Sequence, residues 1–389
     1  MIKRQLNTKL QQVASQFPVV AVMGPRQSGK TTLVRHVFSD HRYVSLEDLE
    51  QRAFAQNDPK GFLQNYDSEV IFDEVQRAPE LLSYVQTIVD ERRQPGQFIL
   101  TGSQNFLLHE KISQSLAGRV ALLNLLPLSL VELTNTPSTL QNLEAVLFKG
   151  FYPRLYDTKI EPVDWYPSYI QTYVERDLRQ MKNISNLSTF QRFLKLCAAR
   201  IGQLLNLSSL ANDCGISANT VGSWLSILEA SYIIFLLKPH YQNFNKRLVK
   251  SPKLYFYDTG LACSLLGIEN AKQLATHYLK GGLFECLVIA ELIKHRLNHG
   301  LTPNCYFWRD KLGHEIDCII ELADRLMPVE IKSGKTVADD YFKEIKYWLE
   351  LSGNKPEQAW VVYGGEERQK RTSGNVVGWK QIEEVVAQH

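Results

Sequence analysis

The sequence lacks the cysteine spacing of either a zinc site or a disulfide framework. Its six cysteines are scattered over 389 residues, and no two of them form a Cys-x-x-Cys pair. Thiolate zinc sites and disulfide-rich secreted domains both depend on closely and regularly spaced cysteines. Scattered cysteines instead favour a reducing compartment, so we expect a cytoplasmic protein.

Long hydrophobic runs are missing as well, and so is a strong excess of charge of one sign. The first segment, MIKRQLNTKLQQVASQF, is polar and amphipathic, so we expect neither a signal peptide nor a membrane partner. A net charge of +3 at pH 7 does not by itself indicate a nucleic-acid partner, and any basic surface has to be local. The 44% hydrophobic and 22% charged residues that are present are typical of a globular protein with room for two or three domains.

Alternating strand-like and helix-like segments predict the α/β fold class. The apolar segments PVVAVMG, RYVSL, EVIFDE and QFILTGS are separated by helix-like sequence, as in a parallel sheet. Aromatic, helix-period sequence follows, and LSSLANDCGISANTVGSWLSILEA then has the helix, glycine turn and helix of a winged-helix module. We therefore predict a parallel α/β domain at 1–135, a helical connector at 136–205, a winged-helix module at 206–262 and a second α/β domain at 263–389.

A phosphate-binding loop is predicted near the start of the chain. The segment AVMGPRQSGKTTLV fits Gly-x-x-x-x-Gly-Lys-Thr between an apolar strand and an amphipathic helix. In such a loop, backbone N–H groups wrap the phosphates and the helix N-terminus adds positive potential. We expect Lys30 to reach the β and γ phosphates and Thr31 to ligate Mg²⁺. The residues of the loop predicted to bind ATP are Gly24, Pro25, Arg26, Gln27, Ser28, Gly29, Lys30, Thr31 and Thr32.

Two carboxylates follow a later apolar strand. In EVIFDE, Asp73 and Glu74 stand at the strand exit. Asp73 is expected to hold Mg²⁺ and Glu74 to polarise the attacking water, the division of labour that ATP hydrolysis requires. The sequence therefore predicts ATP and Mg²⁺ as cofactors.

Two further residues have two interpretations each. Ser103, at the end of the strand FILTGS, is predicted to contact the γ-phosphate, as is its neighbour Thr101; the alternative is that either caps the next helix. Arg119, in SLAGRVALLNL, is predicted to be a catalytic finger that one subunit supplies to the next. The alternative is an ordinary surface charge.

These motifs together resemble a widespread prokaryotic family of AAA+ ATPases. The resemblance rests on VVAVMGPRQSGKTTL, VIFDEVQRAPELL, FILTGSQNFLL, SLAGRVALLNLLPLSLVEL and YIQTYVERDLRQ, and it extends over nearly the whole chain. It implies an N-terminal AAA+ ATPase domain and a C-terminal domain of unknown function related to PD-(D/E)xK nucleases. The motifs are specific for family membership and less informative about biological role.

The winged-helix interpretation predicts a surface that contacts DNA. The residues expected on its recognition helix are Ser217, Asn219, Thr220 and Ser223. The following hairpin is basic with interleaved aromatics, which suits phosphate contact and stacking; its residues are Lys238, His240, Tyr241, Lys246, Arg247, Lys250 and Lys253. The alternative is that the module contacts only protein and that the charged hairpin is simply solvated.

The last domain contains a candidate metal site. Glu285 is expected on a helix, Asp317 within a strand, and Glu330 and Lys332 on one face of the next strand, because side chains alternate with a period of two. This order matches the PD-(D/E)xK pattern: Asp317 and Glu330 would ligate Mg²⁺ with help from Glu285, and Lys332 would orient or activate water. The alternatives are a surface ion pair or a retained but inactive site.

Two functions are compatible with these motifs. In the first, a homo-oligomeric enzyme couples ATP binding and hydrolysis to DNA engagement or processing, and its C-terminal domain cuts DNA. In the second, a non-nucleolytic ATP switch uses the winged-helix and nuclease-like domains to bind a protein partner. Both predict an ATPase, and they differ in whether DNA is cleaved.

Overall fold

The computed structural model describes residues 2–103, 112, 114–134, 142–175, 186–241, 248–323 and 325–386. The chain divides into two compact units. Unit 1 comprises Met1–Leu128, Ala230–Tyr232 and Arg296–Leu301, and unit 2 comprises Ser129–Glu229, Ile233–His295 and Thr302–His389. The α/β class is confirmed, and the finer division into four domains stays a prediction.

Unit 1 contains a five-stranded sheet in the order β2-β3-β4-β1-β5. Every neighbouring pair of its strands is parallel. The strands are β1 (Val19–Met23), β2 (Arg42–Ser45), β3 (Val70–Asp73), β4 (Phe98–Gly102) and β5 (Val120–Asn124). Parallel strands end at the same edge of a sheet, so β1, β3 and β4 present the residues that follow them at one common edge.

Every residue of the three central strands β1, β3 and β4 is buried, which explains why these strands are nearly continuously apolar. Successive residues of β1 face opposite sides: Val19 and Ala21 pack in one hydrophobic cluster, and Val20 and Val22 pack in the other. The helices of unit 1 are α1 (Leu6–Ala14), α2 (Lys30–Val37), α3 (Leu49–Asn57), α4 (Pro59–Asn65) and α5 (Leu81–Arg92).

Unit 2 begins with short helices and a helix–turn–helix. Its first helices are α6 (Leu130–Thr134), α7 (Leu143–Lys149), α8 (Arg154–Asp157) and α9 (Pro162–Tyr169), followed by a π-helix (Ile170–Glu175) and then α10 (Leu187–Ala198), α11 (Leu207–Cys214) and α12 (Ala218–Ala230). Gly215 ends α11 at φ 70°, a left-handed conformation that glycine adopts at low cost. Trp224 of α12 packs edge-on against Phe190 and Phe193 of α10. The antiparallel pair β6 (Ile234–Leu237) and β7 (Lys253–Phe256) follows.

A six-stranded mixed sheet forms the last part of unit 2. Its order is β12-β13-β11-β10-β9-β8. The strands are β8 (Cys305–Arg309), β9 (Glu315–Glu321), β10 (Leu326–Lys332), β11 (Trp360–Tyr363), β12 (Gln369–Arg371) and β13 (Gly374–Gly378). The described α-helices that follow β7 along the chain are α13 (Thr259–Leu265), α14 (Lys280–Asn298), α15 (Lys343–Ser352) and α16 (Glu383–Val386). A separate C-terminal sheet domain is therefore present, while its nuclease-like character and the winged-helix character of the preceding module stay predictions.

Among the described residues, none of the helices has both the length and the apolar composition needed to span a bilayer.

Candidate functional sites

The predicted phosphate-binding loop joins β1 to α2, at the sheet edge where the parallel strands end. Gly24 is required by a close approach, because a Cβ at this position would lie 2.1 Å from the carbonyl oxygen of Leu125. Gly29 caps α2 at φ 92°, a conformation that residues with a side chain rarely adopt. Both glycines of the motif are therefore explained by backbone geometry.

Lys30 is folded back over the loop. It is the first residue of α2 and only 5% exposed, and its Nζ donates hydrogen bonds to the carbonyl oxygens of Gly24 (3.0 Å) and Pro25 (2.9 Å). Burial lowers the pKa of the Lys30 ammonium, although the charges of Glu74 and Asp73 oppose that shift. The Lys30 ammonium thus lies within the loop and near the carboxylates of Glu74 and Asp73.

Asp73 is held by three hydroxyl groups. Its Oδ1 accepts hydrogen bonds from Thr31 Oγ1 (2.8 Å) and from Thr101 Oγ1, and its Oδ2 accepts one from the Tyr43 hydroxyl (2.8 Å). Burial, followed by the hydrogen bond to Asp73, raises the pKa of Tyr43 to about 12, which keeps the phenol a donor. The predicted Mg²⁺ ligands Thr31 and Asp73 therefore lie in contact. Thr101 donates a hydrogen bond to the Asp73 carboxylate.

Glu74 has an unusual backbone conformation that turns it out of the strand. Its φ of 56° is left-handed, which costs a residue with a side chain about 1–2 kcal/mol. The Glu74 carboxylate accepts hydrogen bonds from Ser103 Oγ (3.0 Å) and from Gln76 Nε2. Burial would raise the pKa of this carboxyl, but the charge of Lys30 and the bonds from Gln76 and Ser103 outweigh it, so the pKa is lowered. Glu74 is thus ionised and oriented.

The remaining loop residues differ in exposure. Ser28 is buried and its hydroxyl donates to the Pro25 carbonyl (2.9 Å). Arg26 is half-buried, with Nη2 3.8 Å from a carboxylate oxygen of Glu47. Gln27 and Thr32 are exposed. Their roles in ATP binding stay predictions.

Arg119 lies at the opposite edge of the sheet. Its carbonyl accepts the N–H of Val19, the first residue of β1 (3.3 Å), whereas the loop follows the last residue of that strand. Five residues of strand span about 16 Å at about 3.3 Å each. The guanidinium forms a bidentate pair with Asp90, at 2.5 and 2.8 Å. Arg119 therefore lies far from the loop of its own chain.

The predicted DNA-contacting surface is only partly exposed. Lys238, Tyr241 and Lys250 are exposed, but His240 and Lys253 are 7% and 3% exposed. Those two side chains do not belong to an exposed basic surface, which corrects the expectation from sequence. Lys246 and Arg247 lie outside the described residues.

On α12, the predicted recognition helix, Asn219 is exposed and Ser223 is half-buried. Ser217 caps α12 instead of projecting freely, since its Oγ accepts the N–H of Thr220 (3.1 Å).

Asp317, Glu330 and Lys332 come together on β9 and β10. The antiparallel ladder ends at the Cys318–Val329 pair, and beyond it Asp317 Oδ2 accepts the backbone N–H of Ile331 (2.8 Å). The Lys332 ammonium contacts a carboxylate oxygen of Glu330 and lies 3.5 Å from Asp317 Oδ2. Glu330 is 4% exposed, and its Oε2 has no hydrogen-bond partner among the described residues.

Glu285 lies on helix α14, as predicted, and is held by two residues of strand β7. Glu285 Oε1 accepts from Lys253 Nζ (2.9 Å) and from the Tyr255 hydroxyl, both on β7. The Lys253 ammonium also contacts Glu315, which shares a face of β9 with Asp317. Burial opposes a charge on Lys253, but the charges of Glu285 and Asp317 outweigh it and raise its pKa. The period-two pair of Lys253 and Tyr255 was the sequence signal that could have assigned them to one face.

Two of these carboxyl groups, Glu285 and Glu330, have raised pKa values. Burial and the neighbouring Asp317 raise the pKa of Glu285 to about 7, and the same two causes raise the pKa of Glu330 well above its ordinary value. Within the described part of the chain, no group of three or more His, Cys, Asp and Glu side chains is arranged to hold a metal ion. The ammonium groups of Lys253 and Lys332 stand among the acids instead. The metal roles of Glu285, Asp317 and Glu330 stay predictions.

Three family models match consecutive parts of the chain. Residues 16–134 match an AAA domain, residues 140–272 match a domain of unknown function (DUF8612), and residues 280–382 match another domain of unknown function (DUF4143). The AAA match covers the sheet of unit 1 and the loop between β1 and α2. The two other matches carry no description of an activity.

Among solved structures, the chain is similar to the Walker-type ATPase PABY2304 of Pyrococcus abyssi, with 16% identity, a TM-score of 0.45, and coverage of 68% of this chain and 96% of that one. It is also similar to AMPPCP-bound DnaA from Aquifex aeolicus, with 15% identity, a TM-score of 0.30, and coverage of 58% and 85%.

Two curated relatives establish the family to which the chain belongs. The Uncharacterized protein Rv2008c of Mycobacterium tuberculosis (strain ATCC 25618 / H37Rv) and the Uncharacterized protein Mb2031c of Mycobacterium bovis are each 32% identical over 337 residues, which is 86% of this chain and 74% of theirs. The ATP-binding AAA domain at residues 16–134 makes the protein an ATPase, and the chain belongs to the same family as these two mycobacterial proteins.

Proposed function

We propose that the protein couples Mg²⁺-dependent ATP hydrolysis in unit 1 to the engagement and processing of DNA by unit 2. The observation that carries the first part is the contact between the Thr31 hydroxyl and Asp73 Oδ1 (2.8 Å) at the mouth of the loop. A hydroxyl and a carboxylate are the hard oxygen ligands that suit Mg²⁺, directly or through water. When bound, the ion neutralises charge that develops on the phosphates.

The residues of unit 1 divide the work of hydrolysis. Lys30 leaves the carbonyls of Gly24 and Pro25 and pairs with the β and γ phosphates, while the loop N–H groups bind their oxygens. Glu74 is ionised, so it accepts the proton of the attacking water. Ser103 and Gln76, both bonded to that carboxylate, hold it in position.

We further propose that the enzyme works as a homo-oligomer. In many phosphoryl-transfer enzymes an arginine, in addition to the lysine of the loop, stabilises the charge of the transition state, and Arg119 lies about 16 Å of strand away from the loop of its own chain. Arg119 can act there only if a second copy presents it. When Arg119 reaches the site of a second copy, its ion pair with Asp90 breaks.

The DNA part of the proposal is supported by the helix–turn–helix and by Lys238, Tyr241 and Lys250. These three residues are exposed. Ammonium groups beside an exposed aromatic suit backbone contact and stacking.

Metal-dependent cleavage by unit 2 is supported by Glu330. One oxygen of this buried carboxylate is unpartnered among the described residues, which is costly unless a cation or water completes it. Asp317 and Glu330 would hold the ion, and Lys332 would orient the water that attacks the phosphodiester.

A second candidate function has its own observation. The ammonium groups of Lys253 and Lys332 already pair with the four acids of unit 2, as in a structural ion-pair core. These acids are Glu285, Glu315, Asp317 and Glu330. In that case unit 2 binds a protein partner and the chain is a non-nucleolytic ATP switch.

Cleavage separates the two functions. Purified protein is incubated with single- and double-stranded DNA, with Mg²⁺ or Mn²⁺ and with or without ATP. The cleavage proposal expects product that disappears in Asp317→Ala and in Lys332→Ala, while ATPase activity survives. Glu350→Ala, on an exposed position of α15, serves as the matched control. No product from the wild type, or equal product from Asp317→Ala, would contradict cleavage and favour the switch.

A further inference from the structure

A buried arginine outside the ATP-binding motif contacts the phosphate-binding loop. Arg4 precedes α1 and is 5% exposed. Its Nη1 donates a hydrogen bond to the carbonyl oxygen of Ser28 (2.7 Å), and its Nη2 donates one to the carbonyl oxygen of Leu126 (2.7 Å). One guanidinium thus joins the loop to the segment that leaves β5.

The Ser28 carbonyl matters because of the geometry of the loop. For the backbone N–H groups to converge on a phosphate, the carbonyls of the same peptides have to point outward. Ser28 is 0% exposed, so its outward carbonyl has no access to water and depends on a protein donor. Arg4 supplies that donor to Ser28. Ser28 immediately precedes Gly29, the residue that caps α2.

The second contact fixes the other wall of the loop. Leu126 follows Leu125, whose N–H bonds the carbonyl of Met23 (2.7 Å) and whose carbonyl oxygen closely faces Gly24. The two ends of the loop are therefore fixed relative to each other through β5 on one side and through Arg4 on the other. A planar guanidinium with two parallel donors can bridge two carbonyls in this way, whereas an ammonium group cannot reproduce the fork.

We propose that Arg4 is a positioning residue for ATP, which holds the loop in the conformation that receives the β and γ phosphates. Arg4 does not touch the phosphates in this arrangement. It acts on the ground-state binding of nucleotide, which the loop performs, and leaves the step at Glu74 unchanged. Its loss therefore raises KM for ATP and the Kd for nucleotide, and leaves kcat nearly constant.

The test compares Arg4→Met, Arg4→Lys and the control Lys3→Met. Lys3 is the exposed neighbour, so its substitution removes the same charge from the same segment. We measure the Kd of ADP and of a non-hydrolysable ATP analogue by calorimetry, together with kcat and KM. Arg4→Met should weaken the binding of both nucleotides about tenfold or more, because two buried carbonyls lose their charged donor. Arg4→Lys should recover part of the affinity, and Lys3→Met should match the wild type.

The same variants are examined by thermal unfolding without nucleotide. A lower melting temperature of Arg4→Met with an unchanged Kd would show a purely structural residue and overturn the proposal. A loss of kcat in Arg4→Lys without a change in Kd would overturn it as well. If Arg4→Met does not fold, Arg4→Lys decides: weaker nucleotide binding at constant kcat supports positioning, and wild-type binding refutes it.

Discussion

Replacing Glu285 by glutamine should make the stability of unit 2 less dependent on pH. The Glu285 carboxyl has a pKa of about 7 in the folded protein, against an ordinary value of 4.5, because it is buried and lies near Asp317. Between these two values the folded protein holds a proton that the unfolded chain has released. The free energy of unfolding therefore falls as pH rises from about 4.5 to about 7.

The magnitude follows from the size of the shift. A difference of 2.5 units, from 4.5 to about 7, corresponds to at most about 3.5 kcal/mol at about 1.4 kcal/mol per unit. Glutamine carries no titrating proton, so the Glu285→Gln variant should lose this part of the pH dependence. It still accepts a hydrogen bond from Lys253 through its amide oxygen.

Urea denaturation from about pH 5 to about pH 8 measures this difference. The wild type and the exposed control Glu350→Gln should both become less stable as pH rises, and Glu285→Gln should show a shallower decline. A wild type whose stability is constant or rises over this range would refute the reasoning. An equally steep decline in Glu285→Gln would refute it as well.

Two further changes concern unit 1. Tyr43→Phe removes a hydrogen bond to Asp73 Oδ2, so we expect a severalfold higher Mg²⁺ requirement with little change in ATP affinity, measured by titrating Mg²⁺ in the ATPase assay; an unchanged midpoint would contradict this. Arg119→Ala should slow hydrolysis about a thousandfold or more with little change in nucleotide affinity, whereas Asp90→Ala, which only releases the arginine, should remain active. Full activity in a protein that stays monomeric with nucleotide would rule out the finger.

The nucleotide site could be predicted largely from the sequence because its main parts are local. The glycine spacing and the apolar strand before it define a loop whose shape depends on backbone geometry. Asp73 ends strand β3 of the parallel sheet and Glu74 follows it, so their position at the same edge as the loop is implied by topology. The left-handed turn at Glu74 could not be foreseen, because no glycine marks it.

Contacts between distant parts of the chain could not be read in this way. Arg4 and Tyr43 reach the site from segments that carry no recognisable motif. The neighbours of Lys253 in sequence predict an exposed basic hairpin, but Lys253 is a buried residue of β7 that contacts Glu285. A lysine is buried when acids from other elements of the fold compensate the lost hydration, and the sequence alone does not show which acids will be near.

The binding and turnover of ATP by Lys30→Ala and Glu74→Gln test the central account most directly. Each variant is mixed with Mg²⁺ and ATP in a single-turnover experiment, and bound ATP is separated from released phosphate. The account predicts that Lys30→Ala fails to retain ATP, because the phosphates lose their cation, and that Glu74→Gln retains ATP without hydrolysing it, because the water loses its base. Wild-type turnover in both folded variants would contradict the assignment of this site.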